Sequence, residues 1–124
     1  PWLGKKAQET LATMDEHCLR LPETTRNESG SLTTWKGGKR AFAGVTHDKG
    51  RLQLRFKIGV EQQSFLVADP RYTIPLYYGP SGWIDLDVQN GVNWQEVDSL
   101  LESSYRQIAL KRMLKALDEL LVSQ

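Results

Sequence analysis

ADPRYTIPLYYGPSGWIDLD, residues 68–87, interrupts a row of strand-like segments with three prolines, three tyrosines and two glycines, and then restarts it. Pro70, Pro75 and Pro80 fix φ and remove backbone donors, so residues 69–81 are excluded from a central strand or a helix and run as an ordered, aromatic-rich connection. From Gly82 the pattern changes. Trp83 to Val88 alternates, with Ile84, Leu86 and Val88 on one face, as a half-buried strand does.

On the N-terminal side of this connection the cleanest alternation lies at residues 51–58. Leu52, Leu54, Phe56 and Ile58 face one way, and Arg51, Gln53, Arg55 and Lys57 the other. The outer face of that strand is a basic ladder. Two apolar runs flank Lys36-Gly37-Gly38-Lys39, which predicts a tight hairpin, and Asp48-Lys49-Gly50 predicts another. Residues 64–68 read as a further strand that turns Phe65 and Val67 into the core, and residues 23–31 as a connection or a short edge strand. The chain opens on an amphipathic helix over about residues 4–20, in which Leu3, Ala7, Leu11, Met14, Cys18 and Leu21 share a stripe that stops before Pro22.

On the C-terminal side Asn93 reads as a helix N-cap, with Glu96 at the capping-box position. The stripe Val97, Leu101, Ser104, Tyr105, Ile108 then gives way to Leu110, Met113, Leu114, Leu117, Leu121 on roughly the opposite side of a straight helix. A break between residues 107 and 111 follows, giving helices over about 94–107 and 110–122.

At 124 residues, 40% hydrophobic and 25% charged, the chain has the composition of one globular domain, residues 1–124, and no apolar run long enough to span a bilayer. One cysteine, Cys18, fits a reducing compartment, and we expect a cytoplasmic protein without a membrane partner. Net charge is +1 but unevenly spread. Residues 31–57 carry Lys36, Lys39, Arg40, Lys49, Arg51, Arg55 and Lys57 against Asp48, a balance of +6, and residues 58–104 carry Arg71 against seven carboxylates, a balance of −6. Such asymmetry marks either a footprint for an anionic partner or two halves that complement each other.

The order of helix, meander, Asp69-Pro70-Arg71-Tyr72, the run from Tyr77-Tyr78-Gly79 to Gly82-Trp83-Ile84, Asn93-Trp94 and Ser104-Tyr105-Arg106 resembles the MmcQ/YjbR family. Gly38-Lys39-Arg40-Ala41-Phe42-Ala43 matches more loosely. The resemblance implies a frataxin-like (CyaY-like) double-wing fold and a DNA-binding label inferred from the shape of the wings. It brings no catalytic residues. Frataxins themselves would imply iron, but the acidic ridge that they need is reduced to Glu9, Asp15, Glu16 and Glu23, interrupted by Lys5, Lys6 and Arg20. Iron is not expected.

The expected architecture is therefore an α+β two-layer sandwich, an antiparallel sheet of five or six strands with the N- and C-terminal helices on one face and the other open to water. Two functions from different classes remain. In the first, Lys36, Lys39, Arg40, Lys49, Arg51, Arg55 and Lys57 neutralise phosphates in weak, sequence-independent DNA binding, with Trp35 a candidate for stacking. In the second, Tyr72, Tyr77, Tyr78 and Trp83 form a cleft for a protein or small ligand. The plain alternatives are a solvated sheet face and a packed crossover. An enzyme is not expected. His17 and Cys18 point about 100° apart on a helix, Asp85 and Asp87 lack companions, and Ser103-Ser104-Tyr105 has no nearby base. No cofactor or metal is expected.

Overall fold

Leu52, Leu54, Phe56 and Ile58 are buried, and Arg51, Gln53, Arg55 and Lys57 point to the other side. Since a one-residue slip would exchange the faces, the register read from the sequence stands. Their strand lies inside a six-stranded antiparallel sheet. The computed structural model describes residues 4–48 and 50–123, so Leu3 and Lys49 lie outside the described residues. The strand order is β1 (Thr24–Ser29), β2 (Leu32–Gly37), β3 (Arg40–Asp48), β4 (Arg51–Lys57), β6 (Trp83–Asp87), β5 (Tyr72–Thr73). The segment at residues 23–31 is thus an edge strand. The proline-rich stretch adds only the two-residue β5 and a 3-10 turn, Gly79–Ser81, as its missing donors require.

Helices α1 (Lys5–Leu19) and α3 (Trp94–Ile108) carry the buried residues Met14, Cys18, Val97, Leu101, Tyr105 and Ile108 to one face of the sheet. There they meet Phe42, Leu54, Phe56, Ile84 and Leu86. The register between β2 and β3 shifts at Trp35/Lys36, and consecutive Phe42 and Ala43 are both buried, as a bulge allows. Phe42 meets Tyr105 edge-on at 5.4 Å. Burial, and Glu23 nearby, push the Tyr105 phenol up to about 12, while its hydroxyl donates to the Pro22 carbonyl at 2.6 Å.

Asn93 caps α3, its Oδ1 accepting from the Gln95 and Glu96 amides at 3.1 and 3.3 Å, an arrangement that stabilises a helix by about 1 kcal/mol. Glu96 does not close the box. Its carboxylate accepts from Arg71 and from the Tyr72 hydroxyl, tying the crossover to the first turn of α3. Ala109 and Leu110 are extended, ψ 145° and 161°, and separate α3 from α4 (Lys111–Val122) at the change of stripe.

One segment departs from expectation. Residues 64–68 form no strand; helix α2 (Val60–Leu66) occupies most of that stretch, and Phe65 and Val67, expected in the core, are exposed, Phe65 by 73%. Leu66 packs partly buried against the core, but the fully buried residue of the helix is polar. Gln63 is buried and its Nε2 donates to the carbonyls of Gly79 and Trp83 at 2.8 and 2.7 Å. At the entrance to α2 the amides of Ile58 and Gly59 both donate to the Gly82 carbonyl. A Cβ on Gly82 would stand 2.9 Å from the Gly59 Cα, so both the close approach and the φ of +91° demand glycine.

Candidate nucleic-acid interface

On the outer face the register decides which charges are available. Arg55 lies opposite Asp85, and Gln53 opposite Asp87, which puts Arg51 diagonal to Asp87. Arg55 Nε and Nη2 donate to the two Asp85 oxygens at 2.7 and 3.0 Å, a two-pronged pair whose side chains are only 14% and 5% exposed. The Tyr78 ring covers the guanidinium, with 4.9 Å from Cζ to the ring centroid. Arg51 pairs with Asp87, and its hydrogen bond holds that carboxyl below the usual carboxylate range. Both arginines of the basic ladder are therefore neutralised within the sheet.

The remaining cations gather at one end. Lys36 pairs across the strands with Ala41, Lys57 with Trp83, and Ala43 with Phe56, so Lys36 on β2 and Lys57 on β4 flank the same end of β3. Lys39 and Arg40 stand exposed at the hairpin tip, where Gly38 has the positive φ, +63°, that a tight turn uses. None of these four has an ion-pair partner among the described residues. Lys49, the remaining predicted contact, lies outside the described residues.

The aromatic set divides. Tyr72 is buried on the helix side, where burial and the hydrogen bond to Glu96 raise its phenol. Trp83 is half-buried at the start of β6, and its amide donates to the Tyr78 carbonyl. Tyr77 stands 86% exposed with φ +70°, a left-handed conformation costly for a residue with a Cβ. Because Trp83 pairs with Lys57, the Tyr77–Tyr78 turn adjoins the cationic end of the sheet. Trp35 takes no part in this surface. It is fully buried, with its indole N–H donating to Asp15 Oδ1 at 2.9 Å.

Elsewhere His17 stacks on Trp94, with centroids 5.0 Å apart, and its Nδ1 meets Asp98 across the α1–α3 seam. Burial, with Asp15 and Asp98 nearby, raises the Cys18 thiol. Among the described residues no group of three or more His, Cys, Asp or Glu could hold a metal ion, and no helix is long and apolar enough to cross a membrane.

An open antiparallel sheet with helices packed on one face and a partly unmatched cationic end defines a two-layer α+β domain. Within that class the chain belongs to the YjbR family, whose model matches residues 19–107. The crystal structure of the Deinococcus radiodurans protein DR2400, with domain designation DUF419, is similar over 87% of each chain, with a TM-score of 0.70 at 19% sequence identity. At that identity the likeness concerns the fold alone. No curated protein matches the chain.

Proposed function

We propose that the domain acts by binding rather than by catalysis, and that its ligand is single-stranded DNA, held weakly and without strong sequence preference at the cationic end of the sheet. The supporting observation is a juxtaposition. Lys36, Lys39, Arg40 and Lys57, without ion-pair partners among the described residues, lie at the same end of the sheet as the turn that carries the exposed Tyr77. Cations that follow a backbone beside an aromatic that stacks on any base are the elements of sequence-tolerant single-strand binding. Four phosphate contacts on a single strand give a slope of log K against log salt of about −3.

The test is a fluorescence-anisotropy titration of a labelled single strand and a random duplex at about 50 and 200 mM salt. We expect the single strand to bind more tightly, and Lys36→Glu with Lys57→Glu to weaken binding of both by at least about tenfold. No binding by the parent at the lower salt, or equal binding by the reversed variant, overturns the reading. A second reading, a protein-interaction adaptor using the crossover, draws support from Ile74, Leu76 and Tyr77, three exposed apolar residues within four positions. It would stand if nucleic-acid binding failed and substitutions at Leu76 and Tyr77 abolished a protein contact.

A further inference from the structure

Helix α4 buries only part of its apolar stripe. Met113 and Leu117 are in the core, whereas Leu110 and Leu121 of the same stripe are exposed. Two ion pairs, Arg106–Asp118 and Arg112–Glu23, help tie the helix to the body. The family match ends at residue 107, before α4 begins. An apolar stripe wider than the body covers is normally closed by another surface.

The charges beside that stripe indicate which surface. Lys111, Leu114, Lys115, Asp118, Glu119 and Val122 recur at helical spacing and line one groove along the outward side of the helix. The cations lie in its N-terminal half, and Asp118 and Glu119 in its C-terminal half. A parallel copy would set Lys111, Lys115 and Asp118 each against its own kind. An antiparallel copy, turned about the middle of the helix, sets Lys115 against Asp118 of the second molecule and the reverse, with Lys111 beside Val122. We infer that α4 is a self-association surface, on which two copies of this chain pack α4 antiparallel in an isologous dimer. One exposed helix on each side is small beside a standard interface, so the dimer is weak and forms with concentration.

Sedimentation equilibrium of the full chain from about 5 to 500 μM tests this, since weak complexes have dissociation constants in the micromolar range and above. We expect a monomer–dimer equilibrium that Lys115→Glu weakens about tenfold, through two symmetric repulsions. Leu121→Glu should abolish it. Both residues are on the helix surface, and circular dichroism should show the fold unchanged. The exchanged variant, Lys115→Glu with Asp118→Lys, restores the complementary charges and should recover dimerisation relative to Lys115→Glu alone. Arg106 keeps Glu102 as a partner in that variant. A parent that stays monomeric throughout, a dimer indifferent to Lys115→Glu and Leu121→Glu, or an exchanged variant no better than the single reversal overturns the proposal.

Discussion

The two ends of the outer sheet face use the same residue types for opposite purposes. At the β4–β6 seam each arginine meets an aspartate fixed by register, one pair nearly buried under Tyr78. At the end of the sheet that holds the β2–β3 hairpin, Lys36, Lys39, Arg40 and Lys57 have no ion-pair partners among the described residues, and the exposed Tyr77 belongs to the same end. What separates them is the facing strand, which sets an aspartate against each arginine of β4 and none against the four cations. A charge taken out of water costs several kcal/mol unless it is paired, whereas an exposed one is solvated and stays available to a ligand. Arginine and lysine counts along a strand are therefore no measure of a binding surface until the opposite strand is known.

The sharpest way to break this contrast is at the seam. Asp85→Ala leaves the Arg55 guanidinium buried without its carboxylate and should cost about 3 kcal/mol in urea unfolding, as for other broken buried pairs. A loss below about 1 kcal/mol would mean that Arg55 swings out to water. The next effect has opposite signs in two assays. Tyr77→Gly relieves the left-handed backbone and should stabilise the fold by about 1 kcal/mol. The same change should weaken single-strand binding by about 1–3 kcal/mol if the ring stacks on a base. Equal affinity in parent and variant would exclude Tyr77 from the interface. Smaller again, Asp87→Asn should cost less than about 1 kcal/mol, because Arg51 is largely solvated.

The acid limb follows from the same pairs. Arginine hydrogen bonds hold Asp69, Asp87 and Glu96 below their usual values, Glu96 chiefly through Arg71. A carboxyl lowered on folding contributes stability above its unfolded pKa of about 4 and loses it as pH falls through the folded value. Stability should thus be level from about pH 5 to 8 and decline below about pH 4, less steeply in Asp87→Asn. The smallest effect belongs to the open end. Lys36→Glu and Lys57→Glu should each change stability by less than about 0.5 kcal/mol, leaving their effect to appear in binding alone.

Periodic features were legible in the sequence. The alternation in β4, the Asn93 cap and the stripe change at residues 107–111 each follow from local geometry, and each recurs in the fold. The contacts that were not legible depend on partners distant in the chain. Gln63 makes α2 possible by reaching two carbonyls 16 and 20 residues away, so the apolar Phe65 and Val67 mislead when read as a strand. The cationic residues were legible as residues, and so was the complementarity of the two charged blocks as one alternative. Which of them would be matched was not, because it rests on the register of β4 against β6. Tyr77 gave no local sign of its backbone conformation.

The strand order also sets a timetable. Strands β1 to β4 pair in sequence through short turns, while β6 reaches β4 only after the whole crossover has closed, with Arg55 and Asp85 30 residues apart. Local pairings carry a smaller loop-closure cost and tend to form first, so the meander should lead in folding and the crossover should lock late. In a stopped-flow series, Val45→Ala should slow folding, whereas Ile84→Ala should chiefly speed unfolding. The Arg55–Asp85 pair, formed late, would then act mainly as a brake on unfolding.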